Sequence, residues 1–449
     1  MKPRDRVGIH SHGPFLPRLF SGLFGGLLGL ALLKFGNPVV LGNMVERPDG
    51  VYEWLLTPWP IPFGYPLWVI VGLAGLLLFA AVPEGPKLRP VAVLPLLWLA
   101  WELVAGTRTV NPALTIATVQ HFAVCVACFY LGFFCLARVS DRSLFFLGLL
   151  AGFAVVLAAG FEQHFGGLAE TRRFFQLYTL PTLKEAPPEL LKRMSSNRIF
   201  STLFYPNTLA GVLLLLLPAM LAFLWQSERW LAKDARVFLV AVLAGASLAC
   251  LYWSGSKGGW LLMLLLGAMT LLRLRFRRRW KILLLSGGLA LGLAGFFLRY
   301  AGFFERGATS VSARFDYWRA AAATARAHPV WGTGPGTFGL AYQRIKRPDA
   351  EMSRLVHNDY LQQASDSGLA GCVAYVSFII GALVLGRPRS SEGAGWLRFA
   401  VWLGVLGWSV QGCFEFGLYI PALAWPAFGF LGWLLGAPAN RIDTPPPAR

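Results

Sequence analysis

The chain has 449 residues, of which 56% are hydrophobic and 14% are charged, and its mean hydropathy is +0.55. Soluble domains carry about 25% charged residues, so this composition excludes disordered, fibrous and ordinary water-soluble proteins and indicates a polytopic membrane protein. The formal net charge of +19 would suggest nucleic-acid binding in a soluble protein. In a membrane protein, basic residues collect in cytoplasmic loops, so we expect no nucleic-acid partner.

Twelve apolar runs are long enough to be candidate spans, although those at 91–106 and 259–272 are short. We therefore predict an all-α polytopic membrane helix bundle of about 12 transmembrane helices, forming a single integral-membrane domain over residues 1–449. The predicted spans are 15–35, 66–83, 91–106, 113–137, 143–161, 206–225, 237–254, 259–272, 280–298, 368–386, 397–414 and 418–436.

The charges of the loops predict the orientation of these spans. With the N-terminus in the cytoplasm, the short loops on the outer side carry only Lys34, Arg47, Arg108 and Lys257, as the positive-inside rule requires. Both termini are then cytoplasmic. Two long loops lie outside: 162–205, and 299–358 between the ninth and tenth spans, in which we expect short helices.

Ionisable residues inside the predicted spans are scarce. Glu102 is the clearest mid-span case, and Glu415 lies near the end of a span. A proton-coupled or ion-coupled transporter usually needs more intramembrane charge, so we expect Glu102 to pair with a neighbouring helix or to remain protonated. The six cysteines lie in apolar stretches and form no pattern of ligand pairs, which predicts packing roles and no metal site.

Two cations stand near the predicted outer surface. Arg198 precedes Asn207 by nine residues, and the intervening segment runs into a span through a Pro-Asn helix start. Arg198 either meets a lipid headgroup or simply snorkels at the interface. Lys257 is flanked by Gly255 and Gly258 in a short outer loop, which suits an anion but is also common in plain turns.

The second long loop contains the richest pattern. Residues 312–327 predict a helix capped by Ser312, with Arg314 and Trp318 on one face. Asp316 and Arg319 lie on other sides of this helix.

Residues 332–338, Gly-Thr-Gly-Pro-Gly-Thr-Phe, resemble a dinucleotide motif only superficially, because we predict no strand before them and no helix directly after. We predict a sharp turn on the membrane surface instead.

A histidine closes the same loop. Asn358 is a predicted helix cap, which places His357 at the mouth of the next helix, above the bilayer. An imidazole can accept a proton at neutral pH, so His357 is either a general base or a structural histidine at a helix start.

These motifs together resemble the O-antigen ligase and O-antigen polymerase superfamily of bacterial inner membranes. The strongest likeness is the second long loop: Arg314 and Trp318, the His-Pro-x-x-Gly-x-Gly-x-Gly-x-Phe turn at 328–338, and the His-Asn-x-Tyr-Leu segment from His357, with its two glycines ending at 371. The segment from Arg198 to Pro-Asn at 206–207 and the Ser-Lys-Gly turn at 256–258 are similar to two further family motifs. The resemblance runs over roughly 190–380. Lys257 stands where the family commonly has Arg, and Ser201 where Gly is common.

The resemblance implies a glycosyltransferase that takes a glycan from a polyprenyl-diphosphate carrier at the periplasmic face. The acceptor would be a lipid A-core sugar for a ligase, or another lipid-linked glycan for a polymerase. It implies His357 as the general base and Arg314 as a catalytic cation. Diphosphate binding would fall to Arg198 and Lys257, with Arg319 and Arg354 in a secondary place. Because diphosphate is a good leaving group stabilised by cations, we expect no metal and no cofactor.

Two functions of other classes compete with this interpretation. A transporter or flippase predicts several intramembrane charges, and Glu102 is nearly alone. A non-catalytic membrane scaffold has no use for an outer histidine among outer arginines. The expected partners are therefore the lipid-linked donor, a lipid-anchored or glycan acceptor, and the membrane lipids.

Overall fold

The computed structural model describes residues 15–81, 86, 89–174, 176–177, 180–182, 195–305, 309–388 and 395–436. Helices joined by turns make up this part of the chain, and no strand occurs in it. The α-helices are α1 (Phe15–Lys34), α2 (Val51–Leu56), α3 (Gly64–Ala81), α4 (Leu94–Gly106), α5 (Pro112–Tyr130), α6 (Ser143–Glu162), α7 (Leu168–Phe174), α8 (Pro206–Trp225), α9 (Lys233–Ser254), α10 (Lys257–Arg273), α11 (Arg278–Glu305), α12 (Thr309–Ala327), α13 (Phe338–Ile345), α14 (Asp359–Gly386), α15 (Gly395–Gln411) and α16 (Pro421–Gly436).

The all-helical membrane architecture is confirmed. Every one of the twelve predicted spans overlaps one of these helices. Within the described ranges, eight helical segments are long and apolar enough to cross a membrane, and two shorter apolar helices, Pro90–Gly106 and Pro421–Gly436, accompany them. The count of twelve spans stays a prediction. The terminal segments 1–14 and 437–449, which we placed in the cytoplasm, lie outside the described residues.

Backbone contact between α1 and α6 shows how the bundle packs. A Cβ atom added to Gly25 or Gly29 would collide with the carbonyl oxygens of Phe145 and Gly148, and one added to Gly152 would collide with Gly29. Small residues allow such close approach between membrane helices, where van der Waals contact replaces the hydrophobic effect as the force that joins them.

The helices differ sharply in their depth within the bundle. All sixteen residues of α16 are buried, and most of α8 is buried as well. The long helix α11, by contrast, buries only Phe296 and Tyr300 of its 28 residues. An apolar helix that leaves most of its surface uncovered is expected to face lipid. The core therefore lies around α8 and α16, and α11 lies at the periphery.

Three expectations about the second long loop need correction. Helix α12 begins at Thr309 rather than after Ser312, so Ser312 is inside the helix. The glycine-rich turn is followed directly by α13, which starts at Phe338.

The turn is also buried rather than lying on the surface. Gly334 donates its backbone N–H to the Asp366 carbonyl at 2.8 Å, and Gly336 donates to an Asp366 carboxylate oxygen at 2.9 Å. Three glycines with positive φ let the chain pass this close to α14, because a side chain there would strike its backbone or neighbouring threonines.

Candidate active site

Several helix ends meet at one end of the bundle around the carboxylate of Glu415. This residue lies in the short connection between α15 and α16, and its side chain is only 9% exposed. One carboxylate oxygen, Oε1, accepts hydrogen bonds from Arg314 Nη2 at 2.5 Å and from Asn207 Nδ2 at 2.6 Å. The other, Oε2, lies 3.3 Å from Nδ1 of His357. Glu415 thus joins residues from three distant parts of the sequence.

His357 is held in an uncommon conformation beside this carboxylate. Its φ is +54°, a left-handed value that non-glycine residues rarely adopt and that occurs at functional sites when the surroundings enforce it. Phe416 packs edge-on against the imidazole with ring centroids 4.7 Å apart, and Trp318 donates its indole N–H to the His357 carbonyl at 3.3 Å. The side chain is 26% exposed. With Nδ1 turned toward Glu415, Nε2 is the nitrogen left for a substrate.

Helix α12 supplies Arg314 from the face that the sequence predicted. Arg314 Nε also donates to the Phe414 carbonyl at 3.1 Å, and Nη1 donates to the Ser310 carbonyl at 3.3 Å. A guanidinium has five N–H donors, so two remain without an acceptor among the described residues. Arg314 is therefore fixed in place by the protein and still able to bind an anion.

Arg198 approaches the same cluster from the first long loop. Its Nε donates to the Ser254 carbonyl at 2.7 Å, and its Nη2 donates to Oδ1 of Asn207 at 2.7 Å. Through Asn207 and Glu415, the first long loop is thus linked to Arg314 in the second. The mechanism expected from the sequence requires contact between the two long loops, and the sequence alone does not show that contact.

Ser201, in the same segment, has φ +57°, a left-handed backbone conformation that favours glycine.

Lys257 begins α10, just before the predicted span 259–272. Its ammonium lies over the rings of Phe303 and Tyr300, 3.9 Å and 5.0 Å from their centroids. Burial lowers the pKa of Lys257 to about 8, and the positive charges of Arg198, Arg314 and Arg299 act in the same direction. Cations gathered closely enough to depress a neighbour's pKa make a site that favours an anion.

The charge on Glu415 follows from its neighbours. Burial raises the pKa of this carboxyl, but the Arg314 charge and the hydrogen bond from His357 outweigh that effect and hold the pKa below its ordinary value. An ionised Glu415 stabilises the His357 tautomer that carries its proton on Nδ1.

Arg319 and Arg354 are placed differently. The Arg319 side chain is 78% exposed and lies 3.9 Å from Asp316, which also pairs with Arg347 at 3.0 Å. Arg354 is exposed, and its backbone packs against Gly339. The contacts found in the described part of the chain bring neither of them to Glu415. Their role as secondary contacts of the diphosphate stays a proposal.

A second polar network lies inside the bundle, apart from the cluster around Glu415. Ser367 donates to Glu102 at 2.6 Å, so Glu102 does pair with a neighbouring helix, as expected. Tyr419 and the Gly336 N–H both donate to Asp366, at 3.2 Å and 2.9 Å. This network fixes the glycine turn against α14 and the α15–α16 connection.

The sequence reasoning did not include Glu415, the carboxylate at the centre of this candidate site. The sequence showed only an acidic residue near the end of a span. The signal available in the sequence was the predicted side of the membrane on which Glu415 lies. Span 397–414 is predicted to run outward, which puts Glu415 on the same face as His357.

Across the described ranges, no group of three or more His, Cys, Asp or Glu side chains is arranged to hold a metal ion.

Comparison with known families adds one finding. Residues 242–376 match the family model described as O-Antigen ligase. The match runs from α9 into α14 and contains Lys257, Arg314 and His357. It confirms the resemblance to the O-antigen ligase superfamily and supports a membrane glycosyltransferase of the ligase or polymerase type. No curated protein matches the chain.

Proposed function

We propose that this chain, whose residues 242–376 match the O-antigen ligase family, moves a glycan from a polyprenyl-diphosphate carrier to an acceptor hydroxyl. The acceptor is a lipid A-core sugar or a similar group. The reaction takes place at the periplasmic face of a bacterial inner membrane. The observation that carries the proposal is the side-by-side placement of a histidine–glutamate pair and a group of cations at one end of the bundle.

The histidine–glutamate pair supplies the base. Glu415 accepts a hydrogen bond from Nδ1–H of His357, which leaves the Nε2 lone pair free to take the proton of the acceptor hydroxyl. As that proton moves, the acceptor oxygen attacks the anomeric carbon of the donor sugar. Glu415 then stabilises the imidazolium that forms, as a carboxylate does in other catalytic groups of this kind.

The cations serve the leaving group. When the bond from the anomeric carbon to the phosphate oxygen breaks, negative charge grows on the polyprenyl diphosphate. Arg314 and Arg198 offer N–H groups that have no acceptor among the residues that the structure describes, and Lys257 adds a third positive charge. Charge-assisted hydrogen bonds contribute about 1.5–3 kcal/mol each, so cations alone can provide this stabilisation. We therefore propose that the reaction needs no metal. Arg319 and Arg354 would meet lipid headgroups or the outer part of the diphosphate.

The test is glycan transfer by purified protein from a polyprenyl-diphosphate donor, with EDTA present. We expect His357→Ala to slow transfer by about 10²–10⁴-fold, the usual contribution of a general base. His164→Ala, which removes an exposed histidine of the first long loop, is the matched control and should transfer normally. Transfer by His357→Ala at the wild-type rate would refute the base assignment, and loss of wild-type activity in EDTA would refute metal independence.

The choice of acceptor separates the finer alternatives. Transfer to lipid A-core identifies a ligase, whereas transfer to a second lipid-linked glycan identifies a polymerase. Glu102→Gln addresses the transporter alternative, because Glu102 lies in the interior network with Ser367 and away from the Glu415 cluster. It should spare glycan transfer, and a variant that retained its fold but lost all activity would favour proton-coupled transport.

A further inference from the structure

Asn207 joins the two halves of the candidate site through a single side chain. Its Nδ2 donates to Glu415 Oε1 at 2.6 Å, and its Oδ1 accepts from Arg198 Nη2 at 2.7 Å. The amide orientation follows from its partners, because a carboxylate only accepts hydrogen bonds and a guanidinium only donates them. The Asn207 carbonyl is held as well, by Gln411 Nε2 at 3.0 Å.

Neither an aspartate nor a leucine at this position reproduces the bridge. An aspartate would keep the contact with Arg198 but would set a second carboxylate against Glu415, and a leucine would leave both partners unsatisfied. The charged groups that face Glu415 are Arg314 on α12, His357 before α14 and Asp359 at the start of α14, with Arg198 one side chain further away. Asn207 is the neutral member of this set and contacts one residue of each sign.

We propose that Asn207 is a positioning residue that couples Arg198, which binds the diphosphate, to Glu415, which orients the base. The proposal rests on the function proposed above. The Asn207 amide fixes both the Arg198 guanidinium and the Glu415 carboxylate. Binding of the diphosphate donor to Arg198 is therefore coupled to the position of Glu415, and through Glu415 to that of His357. Arg198 and His357 are thereby set relative to each other, as required for attack on a sugar attached to the diphosphate.

The first experiment is a double-mutant cycle on the binding of polyprenyl diphosphate, which needs no turnover. Asn207→Leu should weaken binding about tenfold, since Arg198 loses a fixed orientation. In an Arg198→Ala background the same change should have less than about a twofold further effect, because coupled residues are not additive. Gln411→Leu is the matched control: it removes a hydrogen bond to the Asn207 backbone, and its effect should be the same in both backgrounds.

The second experiment tests the contact between Asn207 and Glu415. In Asn207→Asp the introduced carboxylate disfavours ionisation of Glu415. In a plot of kcat/KM against pH, the acidic limb should therefore move to higher pH by about one unit. Affinity for polyprenyl diphosphate should stay within about threefold, because Arg198 keeps an acceptor. Gln411→Leu should keep the wild-type limb, and a merely structural role for Asn207 would leave the limb in place.

The outcomes separate the two proposals. If the wild-type protein binds no polyprenyl diphosphate and transfers no glycan, both the proposed function and the coupling are overturned. If the wild type binds and transfers, but Asn207→Leu loses equally in both backgrounds, only the coupling is overturned. Additive losses in binding together with an unmoved pH limb in Asn207→Asp would reduce Asn207 to a helix-start residue.

Discussion

Helix α12 presents two faces with similar residues and different surroundings. On its inner face, Arg314 is 19% exposed and pairs with the buried Glu415 at 2.5 Å. On its outer face, Arg319 is 78% exposed and lies 3.9 Å from Asp316. The inner ion pair is shielded from water and extended by His357 and Asn207, whereas the outer pair is solvated and weak. The two arginines of this helix therefore differ in the strength of their ion pairs, and the difference follows from their burial.

The largest expected effect separates the two arginines directly. Arg314→Ala should reduce kcat/KM for glycan transfer by about 10²–10³-fold, because it removes the proposed charge-assisted donor to the leaving group and leaves Glu415 without its main counter-charge. Arg319→Ala should change it less than about threefold. Steady-state kinetics on both variants measures the two values of kcat/KM. Equal losses would contradict the functional difference between the inner and outer faces of α12.

The second contrast compares the two carboxylates that pair with those arginines. Glu415→Gln should lower kcat by about 10²-fold, because an amide cannot stabilise the imidazolium that His357 forms in the proposed mechanism. Asp316→Asn on the outer face should leave kcat unchanged, since its partners Arg319 and Arg347 are exposed. Single-turnover transfer isolates this step. A normal rate in Glu415→Gln would show that His357 acts without its carboxylate.

The third expectation concerns pH. The pKa of Lys257 is lowered to about 8, so the free enzyme loses this charge as the pH rises through 8, and kcat/KM for the donor should fall about fivefold to tenfold by pH 9. Arg314→Ala removes one of the positive neighbours and should move this limb to higher pH, whereas Arg319→Ala should leave it in place. Lys257→Arg should abolish the limb. A limb that persists in Lys257→Arg would belong to another group.

The smallest effect tests the backbone that supports the inner cluster. Ser201 has φ +57° and donates its hydroxyl to the Val156 carbonyl at 2.5 Å. Ser201→Gly relieves strain but loses this hydrogen bond, so we expect little net change in stability. Ser201→Ala keeps the strain and loses the bond, which should cost about 1 kcal/mol. Melting temperatures in detergent compare the two variants, and a Ser201→Ala protein as stable as Ser201→Gly would contradict the strain argument.

The sequence by itself determined the class of protein and most of its helices. Long apolar runs have few other folds in a membrane, because every backbone polar group in lipid needs a partner within the segment. Local pattern also placed Asn358 as a helix cap, which the structure confirms through its hydrogen bonds to the Tyr360 and Leu361 N–H groups. The shared face of Arg314 and Trp318 came from helical spacing alone, and the structure confirms it through the contacts of both with the His357–Glu415 pair.

The tertiary structure decided which of these residues form a site. Glu415 lies 58 positions from His357 and 208 from Asn207, and no local periodicity connects them. The buried position of the glycine-rich turn likewise depends on Asp366 from another helix. The physical reason is the same in both cases. Hydrophobic pattern and capping act over a few residues, whereas a buried charge acquires its partners only when distant helix ends are brought together by packing.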